Sequence, residues 1–285
     1  NTNGIRLHVV QAGPKSGIPV ILLHGFPEFW YGWRKQIPAL VNAGCRVIVP
    51  DQRGYNLSDK PKDKKDYGVN ALVDDVLGLI QALEYEKVNL VGHDWGAVIA
   101  WALAISRPEK LHRLTIMNVP HPAVMQRFLR RDFEQMRRSW YVGFFQIPWL
   151  PERIFSANKF REMVRGLRGT AKKNSFTDED IEKYKEAWSQ PGALTSMLNW
   201  YRAIVQFPPK MPEDTRVKVR TLMMWGMKDF ALSHRMARPS MDYCDDGNLI
   251  LFPESTHWVH LDAAEEVNHY LIDFLLDSIT KRVIK

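Results

Sequence analysis

The residues Val88 to Ala100, reading Val-Asn-Leu-Val-Gly-His-Asp-Trp-Gly-Ala-Val-Ile-Ala, constrain the fold more than any other stretch of this chain. A short apolar run ends in Gly92-His93-Asp94-Trp95-Gly96 and gives way at once to a pattern of small, helix-forming residues. This is the signature of a strand, a very tight turn and a helix. Gly92 and Gly96 flank the central residue as in the pattern G-x-S-x-G, where missing side chains let strand and helix approach while the central side chain is held out in a strained turn. The centre here is Asp94, not serine. An aspartate at this place can do one of two things: cap the following helix by accepting its free N–H groups, or present a carboxylate as a reacting group. The pentapeptide leaves both open, and the choice falls to residues further along.

Around this stretch the chain alternates strand-like and helix-like segments. Gly4 to Val10 alternates as an antiparallel edge strand does. Pro19-Val20-Ile21-Leu22-Leu23 and Cys45-Arg46-Val47-Ile48-Val49 are continuous apolar runs of the kind covered on both faces of a sheet. Between Asn70 and Glu84 the residues Leu72, Val76, Leu79, Ile80 and Leu83 fall on one helical face. Further strands are expected at Leu111–Asn118, Thr221–Gly226 and Asn248–Pro253, and a closing amphipathic helix at Asp262–Ile279. From Ala123 to about Pro212 no buried-strand run occurs; aromatic-rich helical stretches replace it, bounded by Pro120-His121-Pro122 and Phe207-Pro208-Pro209. The expected organisation is a core domain from 1–119 and 213–285, with a helical lid over 120–212.

Composition fits that plan. With 285 residues, 45% hydrophobic and 25% charged, the chain can fill one large α/β core plus an insertion. The net charge of +7 is spread out except at Arg127, Arg130, Arg131, Arg137 and Arg138, read as the solvated face of a helix. No nucleic-acid motif accompanies them. Cys45 and Cys244 form no disulfide framework or metal spacing. No run approaches the ~18 apolar residues of a membrane span, and Asn1-Thr2-Asn3 opens no secretory signal. A cytoplasmic protein, monomeric or homodimeric, is expected, with an anchor upstream of residue 1 left open.

In an open α/β sheet, catalytic groups collect beyond the carboxyl ends of parallel strands. Asp94, Asp229 and His257 each stand just past such an end, in the chain order nucleophile, acid, histidine. His260 is a competing base, but it lies further into a helical pattern. His24 and His93 are read as structural histidines, and Asp51 with Arg53 as a loop-organising pair. The N–H groups of Phe26 and Trp95 are placed to form an oxyanion hole. A carboxylate attacks an acyl group poorly, because the anhydride formed is higher in energy than the ester or amide. It suits displacement at a saturated carbon, where it forms an alkyl ester. His257, oriented by Asp229, can then activate the water that hydrolyses that ester.

The stretches His24-Gly25-Phe26-Pro27-Glu28-Phe29-Trp30, Asp51-Gln52-Arg53-Gly54-Tyr55, Ser58-Asp59-Lys60-Pro61, Gly92-His93-Asp94-Trp95-Gly96, Gly226 to Asp229 and His257-Trp258-Val259 resemble the epoxide hydrolases of the α/β-hydrolase fold. The resemblance runs along essentially the whole chain. It implies an eight-stranded, mostly parallel sheet with helices on both faces, Asp94 as nucleophile, His257 as base and Asp229 as its partner. It also implies two lid tyrosines that hold the epoxide oxygen, and Ser139-Trp140-Tyr141 and Asn199-Trp200-Tyr201 point to Tyr141 and Tyr201. A phenol with pKa near 10 donates well to a developing alkoxide. Tyr184 is assigned to core packing. Asn56 departs from the family's glycine, yet asparagine also tolerates left-handed backbone.

A cofactor-free, metal-free reaction with a small apolar epoxide and water, giving a vicinal diol, is the expectation. The pocket is assigned to Phe26, Pro27, Trp95, Trp140, Phe144 and Trp258. Haloalkane dehalogenase is the nearest rival, since it shares the aspartate turn, but Phe26 replaces its usual second halide donor and the paired tyrosines argue against it. Fluoroacetate dehalogenase would place arginines after the nucleophile, where Trp95-Gly96-Ala97 stands. A non-catalytic ligand-binding relative would be expected to lack a member of the triad, and none is missing.

Overall fold

Apolar runs too short for helices and bounded by turns pair into one sheet, and the helices between them cover its faces. The computed structural model describes residues 1–210 and 212–276. In chain order the elements are β1 Val9–Ala12, β2 Ile18–Leu23, α1 Gln36–Asn42, β3 Cys45–Pro50, α2 Val69–Ala82, β4 Val88–His93, α3 Trp95–Ser106 and β5 Leu111–Met117. Six helices follow: α4 Pro122–Arg131, α5 Phe133–Arg138, α6 Trp140–Phe145, α7 Leu150–Thr170, α8 Asp178–Trp188 and α9 Ala193–Gln206. The chain then returns through β6 Thr221–Gly226, α10 Ala237–Met241, β7 Gly247–Phe252, α11 Val259–Asp262 and α12 Ala264–Leu275.

The strand order is β1-β3-β2-β4-β5-β6-β7, parallel throughout except for the antiparallel β1–β3 pair. Val20 to Leu23, Val47 to Val49 and Val88 to Val91 are almost entirely buried, as strands covered on both faces require. On α2, Leu72, Val76, Leu79 and Ile80 are buried, while Leu83 lies just past its end and is half-buried.

Two expectations are corrected here. Among the described residues the sheet has seven strands, not the eight expected: each of the seven strand-like apolar runs forms one, and no further run pairs onto an edge. The edge strand is also shorter and later than Gly4–Val10. Gly4 adopts φ +75° in a tight Thr2–Ile5 bridge, so pairing with β3 begins at Val9. The closing helix spans Ala264–Leu275, and the expected end at Ile279 lies outside the described residues.

Between β5 and β6 the described residues form no strand. The helical segment is fastened to loops at the carboxyl ends of the strands. Trp200 Nε1 donates to the Arg53 carbonyl at 3.0 Å, Trp188 Nε1 to the Pro27 carbonyl at 2.6 Å, and the Tyr67 hydroxyl to Ser196 Oγ at 2.9 Å. Its longest helix, α7, is broken at Ala157–Phe160, where Asn158, Lys159 and Phe160 are left-handed. No helix among the described residues is long and apolar enough to cross a membrane.

Candidate active site

Three strand ends converge on one point. At the end of β4, Asp94 has φ 49° and ψ −124°, a conformation disfavoured for any residue with a Cβ. The turn closes only because its neighbours lack side chains. A Cβ on Gly96 would stand 2.1 Å from the Leu23 carbonyl oxygen, and one on Gly25 would stand 2.3 Å from Asp94 Cβ. The Asp94 side chain makes no capping bond to α3. Its Oδ1 instead accepts from the Phe26 N–H at 2.7 Å, and its Oδ2 lies 3.4 Å from His257 Nε2. The capping role is therefore not the one the residue performs.

His257 sits beyond β7, and its Nδ1 lies 2.7 Å from Asp229 Oδ2 in the loop after β6. Asp229 is itself held from several sides. Its Oδ1 accepts from the Ala231 and Leu232 N–H groups at 2.8 and 2.9 Å, and its Oδ2 accepts from Asn118 Nδ2 at 2.8 Å. Arg138 donates to its backbone carbonyl. Burial opposes a charge on His257, but the Asp229 carboxylate and, after it, Asp94 outweigh that cost and raise its pKa to about 10. The resting site is thus an imidazolium between two carboxylates. Burial pushes the Asp94 pKa up, yet the facing His257 and the Phe26 N–H hold it below its ordinary value, so the carboxylate stays charged.

Asp94 opens onto a cavity of about 590 Å³. Tyr141 on α6 and Tyr201 on α9 both line it, their rings 5.9 Å apart, and Tyr201 packs on Phe26 at 5.3 Å and on Trp95 at 5.1 Å. Burial, then the Asp94 charge, pushes both phenols above their ordinary range, so they remain donors at any physiological pH. The two helices are tied together: Gln146 Nε2 donates to the Tyr201 carbonyl at 2.8 Å, and Arg202 donates to the carbonyls of Phe145 and Ile147 while pairing with Glu152.

Known proteins resemble this chain along nearly its whole length. Residues 18–264 match the family model described as alpha/beta hydrolase fold. The chain is 45% identical to the AB hydrolase superfamily protein YfhM of Bacillus subtilis, over 96% of each chain. It is 37% identical to Epoxide hydrolase 4 of Homo sapiens, covering 98% of this chain and 78% of that protein. A crystal structure of Bacillus megaterium epoxide hydrolase in complex with an inhibitor superposes with a TM-score of 0.89 at 30% identity, covering 97% of this chain and 99% of that one. The chain belongs to the epoxide hydrolases of the α/β-hydrolase fold.

Within this family member, the remaining expected residues divide clearly. Phe26, Pro27, Trp140, Phe144 and Trp258 line the cavity. Trp95 does not: its ring turns into the packing between Trp200, at 5.5 Å, and Tyr201, leaving it 7% exposed. Its backbone N–H, in the first turn of α3, is one that no carbonyl of the helix accepts. Tyr184 is fully buried, its hydroxyl donating to Glu28 Oε1 at 2.9 Å. Asn56 is left-handed, at φ 40°, and its amide donates to Asp51 Oδ2 at 2.8 Å. Asp51 and Arg53 do not pair with each other. Asp51 binds His8, the Trp30 N–H and Asn56, whereas Arg53 forms a buried two-bond pair with Asp75 on α2.

The other histidines hold structure. His24 Nε2 accepts from the Gln52 N–H at 3.1 Å, and His93 Nε2 donates to the His257 carbonyl at 2.8 Å. His260 is fully buried on α11 and outside the cavity lining; burial, then His93, lowers its pKa to about 4. Glu28, His93 and His260 bring one metal-ligating atom each within 4.8 Å of one another, the one such grouping among the described residues. His93 Nδ1 already lies 3.2 Å from Glu28 Oε2, while His260 Nε2 at 3.5 Å from Oε1 is too distant for a well-formed bond. Sequence reasoning missed the far wall of the cavity, Phe145, Phe155, Met163 and Leu167, and Phe230 beside His257. Phe155, Met163 and Leu167 recur at spacings of eight and four along α7, a usable signal obscured by the break at Ala157–Phe160.

Proposed function

We propose that this chain hydrolyses epoxides to vicinal diols through a covalent ester on Asp94. One observation carries the reading: a carboxylate that caps nothing, fixed beside His257, faces a largely apolar cavity that also holds two tyrosines, Tyr201 buried and Tyr141 half-buried. Attack by Asp94 on an epoxide carbon forms a C–O bond to the enzyme and breaks the ring C–O bond. The ring oxygen takes up the negative charge, and Tyr141 and Tyr201 stabilise it by hydrogen bonds and supply a proton. The oxygen stays attached to the substrate, which is why this reaction needs proton donors and halide departure does not.

Esterification removes the negative charge of Asp94. With it goes one of the influences that raise the His257 pKa, so a neutral imidazole becomes easier to form just when a base is needed. His257 gives its resting proton to the phenoxide left on the tyrosines, the neutral imidazole then takes a proton from water, Asp229 stabilises the imidazolium so formed, and hydroxide adds to the ester carbonyl. The N–H groups of Phe26 and Trp95 face the resulting oxyanion. Collapse expels the diol oxygen, which takes up the proton of the hydroxyl added to the ester carbon, so the diol leaves, the carboxylate is restored and His257 is again the imidazolium of the resting site. The helical segment 120–212 acts as the lid over this chemistry, and its aromatic lining suits a small apolar epoxide.

The test is to trap the ester. A His257→Gln protein should still alkylate but not hydrolyse, so intact-protein mass spectrometry after addition of a styrene oxide-type epoxide should show one added substrate mass, mapped to Asp94. Haloalkanes and p-nitrophenyl esters, run beside it, should give no comparable adduct or turnover. Normal turnover by this variant, or an adduct elsewhere, rejects the assigned base or nucleophile.

A further inference from the structure

Charge and exposed apolar surface gather in the same part of the molecule. Residues 122–173 carry twelve basic and four acidic side chains, leaving 27 basic and 28 acidic for the rest of the chain. The segment from α4 to the two lysines just past α7 therefore carries the chain's entire positive surplus, and the rest is close to neutral. Among the described residues, seven of the twelve large hydrophobic side chains left exposed lie between 129 and 154, led by Phe133, Trp140 and Trp149 at 78%, 67% and 65% exposure. Arg127 lies over the Phe128 ring, and among the described residues Arg130, Arg131 and Arg137 enter no ion pair. Arg127, Arg130, Arg131 and Arg137 are exposed, and the acids nearest in sequence, Asp132 and Glu134, are already engaged by Arg235 and Arg138.

The face is also where the cavity opens. Arg137 and Trp140 line the cavity and are themselves exposed, and Phe133 stands one turn before Arg137 on α5. Arginine and aromatic residues are enriched at protein interfaces too, but this stretch carries twelve basic against four acidic side chains, so a second copy of the same face would repel it and an anionic surface would be drawn to it. Here arginines interleave with Leu129, Phe133 and Met136 along the helices. With that surplus of positive charge, tryptophan beside arginine suits a surface that rests at an anionic lipid headgroup layer, rings at the acyl boundary and guanidiniums on phosphates.

We propose that the 122–173 face docks on bilayers containing anionic phospholipid, seating the cavity mouth at the lipid surface. An apolar substrate then enters from the membrane in which it is dissolved. That entry route rests on the epoxide reading, whereas the docking does not.

The test uses the full chain and sedimentation with vesicles. Binding is expected to equimolar phosphatidylcholine–phosphatidylglycerol vesicles at low salt, much less to phosphatidylcholine alone, and little to either near 1 M salt, where screening acts within about 3 Å. Replacing Arg127, Arg130 and Arg131 together by glutamine should weaken binding roughly 100-fold, from about fivefold for each cation near the surface. Phe133→Ser with Trp149→Ser should weaken it by about tenfold or more. Both variants should melt as the parent does and turn over a water-soluble epoxide at the parent rate, which separates a failure of docking from a failure of the chemistry. Absence of sedimentation with the anionic vesicles overturns the proposal, as does binding that neither variant changes. So does a dimer in analytical ultracentrifugation that Phe133→Ser dissolves without any vesicle binding, since the face would then be a self-interface.

Discussion

The sheet side and the helical side of the cavity hold their reacting groups by different means. On the sheet side, Asp94, Asp229 and His257 are fixed by backbone: a left-handed turn flanked by glycines, two N–H groups on Asp229, and one carbonyl–histidine bond behind His257. On the helical side, Tyr141 and Tyr201 are placed by aromatic packing and by side chains that join α6 to α9. Backbone geometry has few alternatives, while packing has many near-equivalent ones. The sheet side should thus respond to substitution in an all-or-none way and the helical side by degrees.

Four measurements test that contrast. The largest effect is expected from Asp94→Ala, which should lower steady-state diol formation by at least about 10⁴-fold and yield no adduct in the mass spectrum. Retained turnover would falsify the sheet side as the seat of the chemistry. Next come the tyrosines. Each of Tyr141→Phe and Tyr201→Phe removes one hydrogen bond to a developing charge, worth about 2–4 kcal/mol, and should slow alkylation by roughly 30- to 1000-fold. The double variant should nearly abolish it. Stopped-flow tryptophan fluorescence reads that rate, with thermal melts as the folding control; an unchanged rate would return both tyrosines to the core.

A smaller, graded change is expected at the far wall. Leu167→Ala enlarges the cavity without touching a reacting group, and should alter kcat/KM for a given epoxide by about tenfold, in favour of bulkier substrates. A loss as large as that of the tyrosine variants would show the helical wall to be as intolerant as the sheet. The smallest effect concerns pH. Because the folded pKa of His257, about 10, lies above its ordinary 6.5, its protonation stabilises the fold fully below pH 6.5, and this contribution is lost as pH rises through 10. Melting temperature should therefore fall over that window more steeply in the parent than in His257→Gln, and parallel curves would contradict the assigned ion pairs.

The same contrast explains what could be read from residues alone. That Asp94, Asp229 and His257 meet could be read because each follows an apolar run that can only be a strand, and its turn needs glycine or a short polar residue. Tyr141 and Tyr201 were named through family likeness, since nothing in helical periodicity distinguishes them from Tyr184, which the structure buries against Glu28. Long-range partnerships were the least visible. Arg53 lies two residues from Asp51 yet bonds Asp75 on a different element, and Trp95 follows the reactive aspartate directly yet packs behind the wall. Adjacency in sequence says little about side chains at a turn, where successive residues point apart. Likewise the break in α7 hides from a helical wheel the wall formed by Phe155, Met163 and Leu167.

The ties between α6 and α9 bear on selectivity as well as on rate. With Arg202 bridging the carbonyls of Phe145 and Ile147 to Glu152, and Gln146 reaching the Tyr201 carbonyl, the two phenols ride on one stiff frame. Their separation is then a fixed gauge. In the proposed reaction an oxygen must lie within reach of both hydroxyls and, at the same moment, on the line of attack from Asp94. Three anchors of that kind define a plane and a direction, so the frame can tell one mirror-image epoxide from the other even inside walls that are otherwise greasy and permissive.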